Sequence, residues 1–196
     1  MGRKSKANVR RKEILQNFFE VMKEEGIEGT SIAKVALRME VNPSLLIHYF
    51  SSKEEITLAF ADYALEKFKS LIPHQLEQIS DARERWNALL DWVCMLHKVN
   101  RKEWSIYYGL LASVTRDAHN RSRMQELHLA YLDFIEREVQ QAAQQQLIDA
   151  AQARTAPALL GSIMAGMRET YYLMGPQLSR NKQEEVRAFL STLFPT

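Results

Sequence analysis

Residues 44–49 bring together a hydroxyl in Ser44, an aliphatic group in Leu45, an imidazole in His48 and a phenol in Tyr49. On a helix, Leu46 and Phe50 are four apart and turn inward, which leaves Ser44, Leu45, His48 and Tyr49 on the outer face. Those groups suit duplex DNA: hydroxyl and imidazole meet phosphates or base edges, and an aliphatic side chain packs on a thymine methyl. Tyr49 also fits a second reading, with its ring beside Phe50 packed inward and only its hydroxyl exposed.

Other chemistries find little support. The residues three before His48, His74, His97, His119 and His128 are Leu45, Leu71, Cys94, Arg116 and Gln125, so the Glu-x-x-His pattern of helical metal sites is missing. No His-Glu-x-x-His, Gly-x-Ser-x-Gly, phosphate loop or dinucleotide glycine fingerprint occurs either. The expectation is a protein that is not an enzyme and needs no metal and no cofactor. A single cysteine, Cys94, makes no intramolecular disulfide, and no window holds a long apolar run, so a soluble protein of the reducing cytoplasm is expected, without membrane contact.

The elements that must hold the 44–49 face are legible around it. Ile14, Leu15, Phe18, Phe19 and Met22 recur on one face of a helix expected over about 8–25 and ending at Gly26. Thr30 or Ser31 caps a second helix, Met39-Glu40-Val41 turns, and Asn42 caps a third helix with Pro43 in its first position. Val41 and Leu46 have the spacing of a hydrophobic staple. Ser51 and Ser52 precede Glu54 and Glu55 by three residues, a capping box opening a fourth helix over about 53–71. Two short helices joined by a tight turn make a helix-turn-helix, whose second helix enters a major groove.

Further helices are expected near 80–99, 101–113, 119–147, 149 or 155 to 174, and 181–193, with Pro157 leaving one start open and Gly175-Pro176 marking one end. No alternating strand pattern interrupts them. The expected fold is all-α, about nine helices: a three-helix helix-turn-helix domain joined by the fourth helix to a C-terminal helical bundle. The expected domains are 1–52 and 53–196.

Charge follows the same division. Arg3, Lys4, Lys6, Arg10, Arg11 and Lys12 crowd the first twelve residues without an acidic partner among them, whereas residues 61–196 balance to zero. Arg3, Lys4 and Lys6 are therefore read as a basic arm, preceding the first helix, for a polyanion.

The run from Thr30 to Glu54, with His48-Tyr49-Phe50 followed by Lys53, resembles the DNA-binding domain of the TetR family of bacterial repressors. Glu40 stands where that family often has glycine, and Ile47 where it often has tyrosine. The resemblance implies phosphate contacts from Thr30 or Ser31 and from Lys53. It also implies that Ser44, Leu45, His48 and Tyr49 approach bases and phosphates, with Asn42 at the same helix end. It implies a homodimer on an operator, controlled by a small-molecule effector. For the dimer, small residues and methionines point to Gly161, Met164, Ala165, Met167, Arg168 and Tyr171, with Phe189 and Leu193 from the last helix. For an unidentified, largely apolar effector the candidates are Trp104, Tyr107, Tyr108, Met124, His128 and Tyr131, with Trp86 and Trp92 nearby in sequence. The Lys102-x-Trp104 segment with Tyr107-Tyr108 is similar to the effector domain of BetI-type members. A helical protein-binding adaptor, or a nucleoid-associated protein without effector control, is the competing reading.

Overall fold

The computed structural model describes residues 3–94 and 99–194, apart from the side chains of residues 3–5, Ile27, Lys53, Leu178 and Ser179. Helix α1 (Arg3–Gly29) starts earlier than its apolar stripe, so the basic stretch from Arg3 onward continues the helix instead of preceding it. The cause is composition: nothing between Arg3 and Ala7 breaks a helix, and Arg, Lys and Ala favour one. Gly26, at φ 78°, interrupts the helix near its end.

Helix α2 (Ile32–Arg38) is capped by Ser31, whose oxygen accepts the Lys34 amide. Its far end closes as a Schellman motif: the Glu40 amide donates to the Leu37 carbonyl at 3.1 Å and the Val41 amide to the Ala36 carbonyl at 3.0 Å. That geometry requires a left-handed residue, and Glu40 takes it at φ 55°. Helix α3 (Pro43–Tyr49) then begins at Asn42, with Pro43 in the first turn, where its missing N–H leaves no bond unmade. Helix α4 (Lys53–Lys69) opens on Ser52, whose hydroxyl oxygen accepts the Glu55 amide at 3.0 Å, while the Glu55 carboxylate accepts the Ser51 amide at 2.7 Å.

Ile14, Val21, Val35, Ala36, Leu46, Phe50 and Ile56 form the buried cluster beneath these helices, with Val41 and Tyr49 packed at its edge. A buried side chain of this size contributes about 1.5–3 kcal/mol, so Leu46 and Phe50 fix the roll of α3 and hence which side chains face outward.

Two compact units emerge, Met1–Phe68 with Lys102–Leu127, and Lys69–Arg101 with His128–Thr196. In the first unit α4 carries helix α6 (Arg101–Ser113) through Phe68, which stacks on Trp104 at 5.5 Å and meets Tyr107 edge-on at 5.4 Å. The start of helix α7 (Ala118–Gln144) is tied to α4 as well, because Arg123 donates to Asp62 at 2.8 Å and to Glu66 at 2.9 Å. Aromatic burial and ion pairs therefore bind α6 and the first turns of α7 to α4.

The second unit contains a short 3-10 turn (His74–Gln78), helix α5 (Ala82–Cys94), the rest of α7 and helix α8 (Ala150–Leu193). Arg85 of α5 grips the buried Glu138 of α7 with two bonds of 2.6 Å, and Arg187 of α8 binds Asp91 and Asn87. Asp149 caps α8 in a capping box with Gln152, so the helix starts there and runs through Pro157; Thr155 lies inside it. Gly175, at φ 78°, breaks α8 into two helices. Arg101 covers the carbonyls at that break, donating to Tyr172 at 2.6 Å and Leu173 at 3.1 Å. The described residues hold eight α-helices and one 3-10 turn, with no strand.

Candidate nucleic-acid interface

The outward face of α3 follows from its buried one. Leu46 and Phe50 are buried, Ser44, Ile47 and His48 are exposed, and Leu45 and Tyr49 are half-buried. Asn42 holds the start of this face: its side-chain oxygen accepts the Ser44 amide at 3.0 Å and the Ser44 hydroxyl at 2.8 Å. With its proton committed, the Ser44 oxygen is left as an acceptor, the polarity that an adenine or cytosine amino group on a base edge requires. His48 stands edge-on to Tyr49, ring centroids 5.5 Å apart. Tyr49 itself packs against the buried cluster, so its ring is anchored.

Thr30 and Ser31 differ in what they offer a phosphate. The Thr30 hydroxyl donates to the Gly26 carbonyl at 2.7 Å, which uses its proton. Ser31 accepts the Lys34 amide as the cap of α2 and keeps its proton to donate, on an exposed side chain at a helix start. Several cations of the domain are already partnered by carboxylates: Arg10 with Glu13, Lys34 with Glu25 and Arg38 with Glu24, at 2.7–2.8 Å. The Lys34 ammonium holds the Glu25 carboxyl below the usual carboxylate range. Lys6 and Lys12 are exposed. The side chains of Arg3, Lys4 and Lys53 lie outside the described residues.

Arg11 does something that net charge did not reveal. Its guanidinium donates to the Tyr49 carbonyl at 2.6 Å and to Glu55 at 2.7 Å, and lies over the Phe50 ring at 4.2 Å. It thus fastens α1 to the corner between α3 and α4. The signal was hidden because an arginine in a basic run reads as surface charge until its distant partners are known.

The expected effector residues are divided between the units. Trp104, Tyr107 and Met124 are buried and Tyr108 half-buried in the first, where Trp104, Tyr107 and Tyr108 meet edge-on in sequence. In the second unit Tyr131 is buried beside Trp92, at 6.0 Å, and His128 is exposed. Trp86 is buried there against Phe194.

The expected dimer residues divide too. Met164, Met167, Arg168 and Tyr171 are buried within their own chain, and a Cβ added to Gly161 would stand 2.6 Å from a Leu132 methyl of α7. Gly161 is thus a close-packing glycine inside the unit. Ala165 is half-buried, while Phe189 and Leu193 are exposed at 59% and 38%. Ala158, Ser162, Gly166, Leu173 and Met174 are exposed on the first part of α8, and a Cβ on Gly166 would meet nothing within 4 Å.

Known proteins resemble parts of this chain in sequence and the chain as a whole in fold. Residues 14–60 match the family described as bacterial regulatory proteins, tetR family. The HTH-type transcriptional regulator BetI of Rhizobium meliloti (strain 1021) is 29% identical over 82 residues, 42% of this chain. The chain spans 40% of the length of that curated relative. Among solved structures, a TetR transcription regulator from Haloarcula marismortui ATCC 43049 superposes with a TM-score of 0.79 at 17% identity, covering 95% of this chain and 98% of that one. A protein from Saccharomonospora viridis, crystallised in complex with choline, gives 0.77 at 18% identity over 94% and 96% of the two chains. At such identities the likeness is one of fold, and the family match rests on the helix-turn-helix, whose caps, turn and outward face are those described above. Residues 14–60 thus match the tetR family of bacterial regulatory proteins, and the chain as a whole shares its fold with a solved TetR transcription regulator.

Proposed function

We propose that the chain acts in the cytoplasm as a homodimeric transcriptional repressor, bound to an inverted-repeat operator through two copies of α3 and released by a small-molecule effector. The observation that carries this reading is the exposed face of α3, with Ser44 and His48 held outward by the Asn42 cap and the buried Leu46. Ser31 and Lys53, at the starts of α2 and α4, are its phosphate contacts, and Lys6 of the basic N-terminus adds another.

Dimerisation is supported by the side chains left in solvent on α8: Gly166, Ser162 and Ala158 on its first part, and Phe189 and Leu193 on its last. Small residues permit close helix approach, and exposed large apolar groups gain by being covered. The effector is largely apolar, since Trp104, Tyr107 and Met124 supply aromatic and thioether surface. A protein of the same fold holds choline, whose methyl groups suit such surroundings, which makes choline the first probe. Release requires the effector to favour a state in which the two recognition helices no longer fit successive grooves, because only differential affinity moves the equilibrium.

The test is selection of binding sites from random duplexes by the purified protein. Recovery of one inverted repeat, with half-sites about one helical turn or a multiple of it apart, supports the reading. Equal binding to every duplex favours a nucleoid-type protein, and no binding favours an adaptor.

A further inference from the structure

We propose that Ile47 is the side chain with which this domain recognises thymine, by packing on a C5-methyl group in the major groove. The inference rests on the DNA-binding reading above and adds to it a residue that reads sequence. Three observations lead to it. Ile47 is 55% exposed, whereas Leu45, the other aliphatic candidate on α3, is half-buried. Positions 44, 47 and 48 are related as i, i+3 and i+4, so Ile47 shares its helix face with Ser44 and His48, the polar groups placed to meet base edges. Ile47 also borders a small, largely apolar recess with Ile32, Leu46, Phe50, Ser52 and Ile56, so its apolar side chain has mostly apolar neighbours.

Such a surface disfavours a phosphate, which would lose hydration without gaining a donor. The apolar groups of a duplex are the thymine methyl, which stands in the major groove, and the deoxyribose, which follows the backbone. The shared face with Ser44 and His48 selects the methyl. Recognition by an apolar group carries no counterion release, so it adds sequence preference without adding salt dependence.

The experiment uses the full chain and sites selected by it from random duplexes. Each thymine of the selected half-site is replaced in turn by deoxyuridine, which deletes only the methyl group. Both kinds of duplex are titrated with wild type, Ile47→Ala and Leu45→Ala, after circular dichroism has confirmed that the variants fold. The expected result is one thymine whose replacement weakens wild-type binding about fourfold, the value of one buried methyl, while Ile47→Ala binds both duplexes alike. Leu45→Ala keeps the full sensitivity to that methyl. An equal loss for Ile47→Ala on both duplexes, with methyl sensitivity retained, assigns Ile47 to the sugar track and overturns the proposal. Methyl sensitivity that disappears in Leu45→Ala overturns it too. Failure to select any site removes the operator-binding reading itself, whereas a well-defined site without an Ile47-dependent methyl removes this inference alone.

Discussion

Arg11 and Glu55, forty-four residues apart, are joined by a 2.7 Å bond that locks the first helix to the corner on which the recognition helix turns. The same guanidinium holds the Tyr49 carbonyl at 2.6 Å, so one side chain closes the exposed end of α3 and the start of α4 together. Arg11 and the Ser51 amide keep the Glu55 carboxyl below the usual carboxylate range. A lowered folded value means that the contribution to stability is present above the unfolded carboxylate range and is lost as pH falls through the folded value. Urea melts from neutral pH down to about pH 3 should therefore show a steeper acid loss for wild type than for Glu55→Gln. Parallel curves would show that the pair does not couple folding to protonation.

Glu40 is a left-handed residue with a side chain, in a position where glycine closes a helix without steric cost. Glu40→Gly should stabilise the domain by about 1 kcal/mol, and Gln146→Gly should do the same at the end of α7, where φ is 58°. The gain is limited by the extra freedom that glycine gives the unfolded chain. Thermal unfolding measures both, and a lowered midpoint for Glu40→Gly would mean that the turn depends on the glutamate side chain.

Gly166 and Gly161 lie five residues apart on α8 and should respond oppositely. Gly166→Leu finds open space in the single chain, so folding should survive, while the proposed dimer should weaken by about 1–3 kcal/mol through overpacking at its surface. Gly161→Ala collides with Leu132, so it should lower stability whatever the assembly state. Sedimentation velocity combined with thermal melts separates the two. An unchanged dimer in Gly166→Leu would place that glycine outside the interface.

Cations already paired to carboxylates should matter less to DNA than exposed ones. Lys12→Ala should reduce the slope of log affinity against log salt by about 0.9 if Lys12 neutralises one phosphate. Lys34→Ala should reduce it less, because Lys34 is engaged by Glu25. Equal slopes for both variants would show that the Lys34 to Glu25 pair opens on the duplex.

Local features were the legible part of this fold. Asn42 and Pro43 at the start of α3, Ser31 before α2, and the Ser52 to Glu55 box before α4 are set by side-chain chemistry within a few residues, which a sequence displays directly. What depended on distant partners was not legible. Arg11 reads as surface charge until Glu55 and Tyr49 are brought to it. Phe68 and Trp104 are too far apart in sequence to announce that α6 packs on α4. Met164, Met167 and Tyr171 match an interface pattern, yet an internal core of α8 has the same periodicity. Asp149 and Thr155 were rival starts for α8, and the reciprocal bonds of Asp149 with Gln152 decided between them. The turn at Glu40 kept its geometry without glycine because two backbone bonds hold it.

The affinity ratio between a selected inverted repeat and a scrambled duplex of equal length, at one salt concentration, tests most directly whether α3 reads DNA. Wild type should prefer the repeat by roughly a thousandfold or more, with two chains bound per duplex. His48→Ala and Ser44→Ala should each shrink that ratio while leaving binding to the scrambled duplex unchanged, since base contacts carry the preference and phosphate contacts do not. A ratio near one for wild type, or an undiminished ratio in both variants, would contradict the assignment of α3 as the recognition helix.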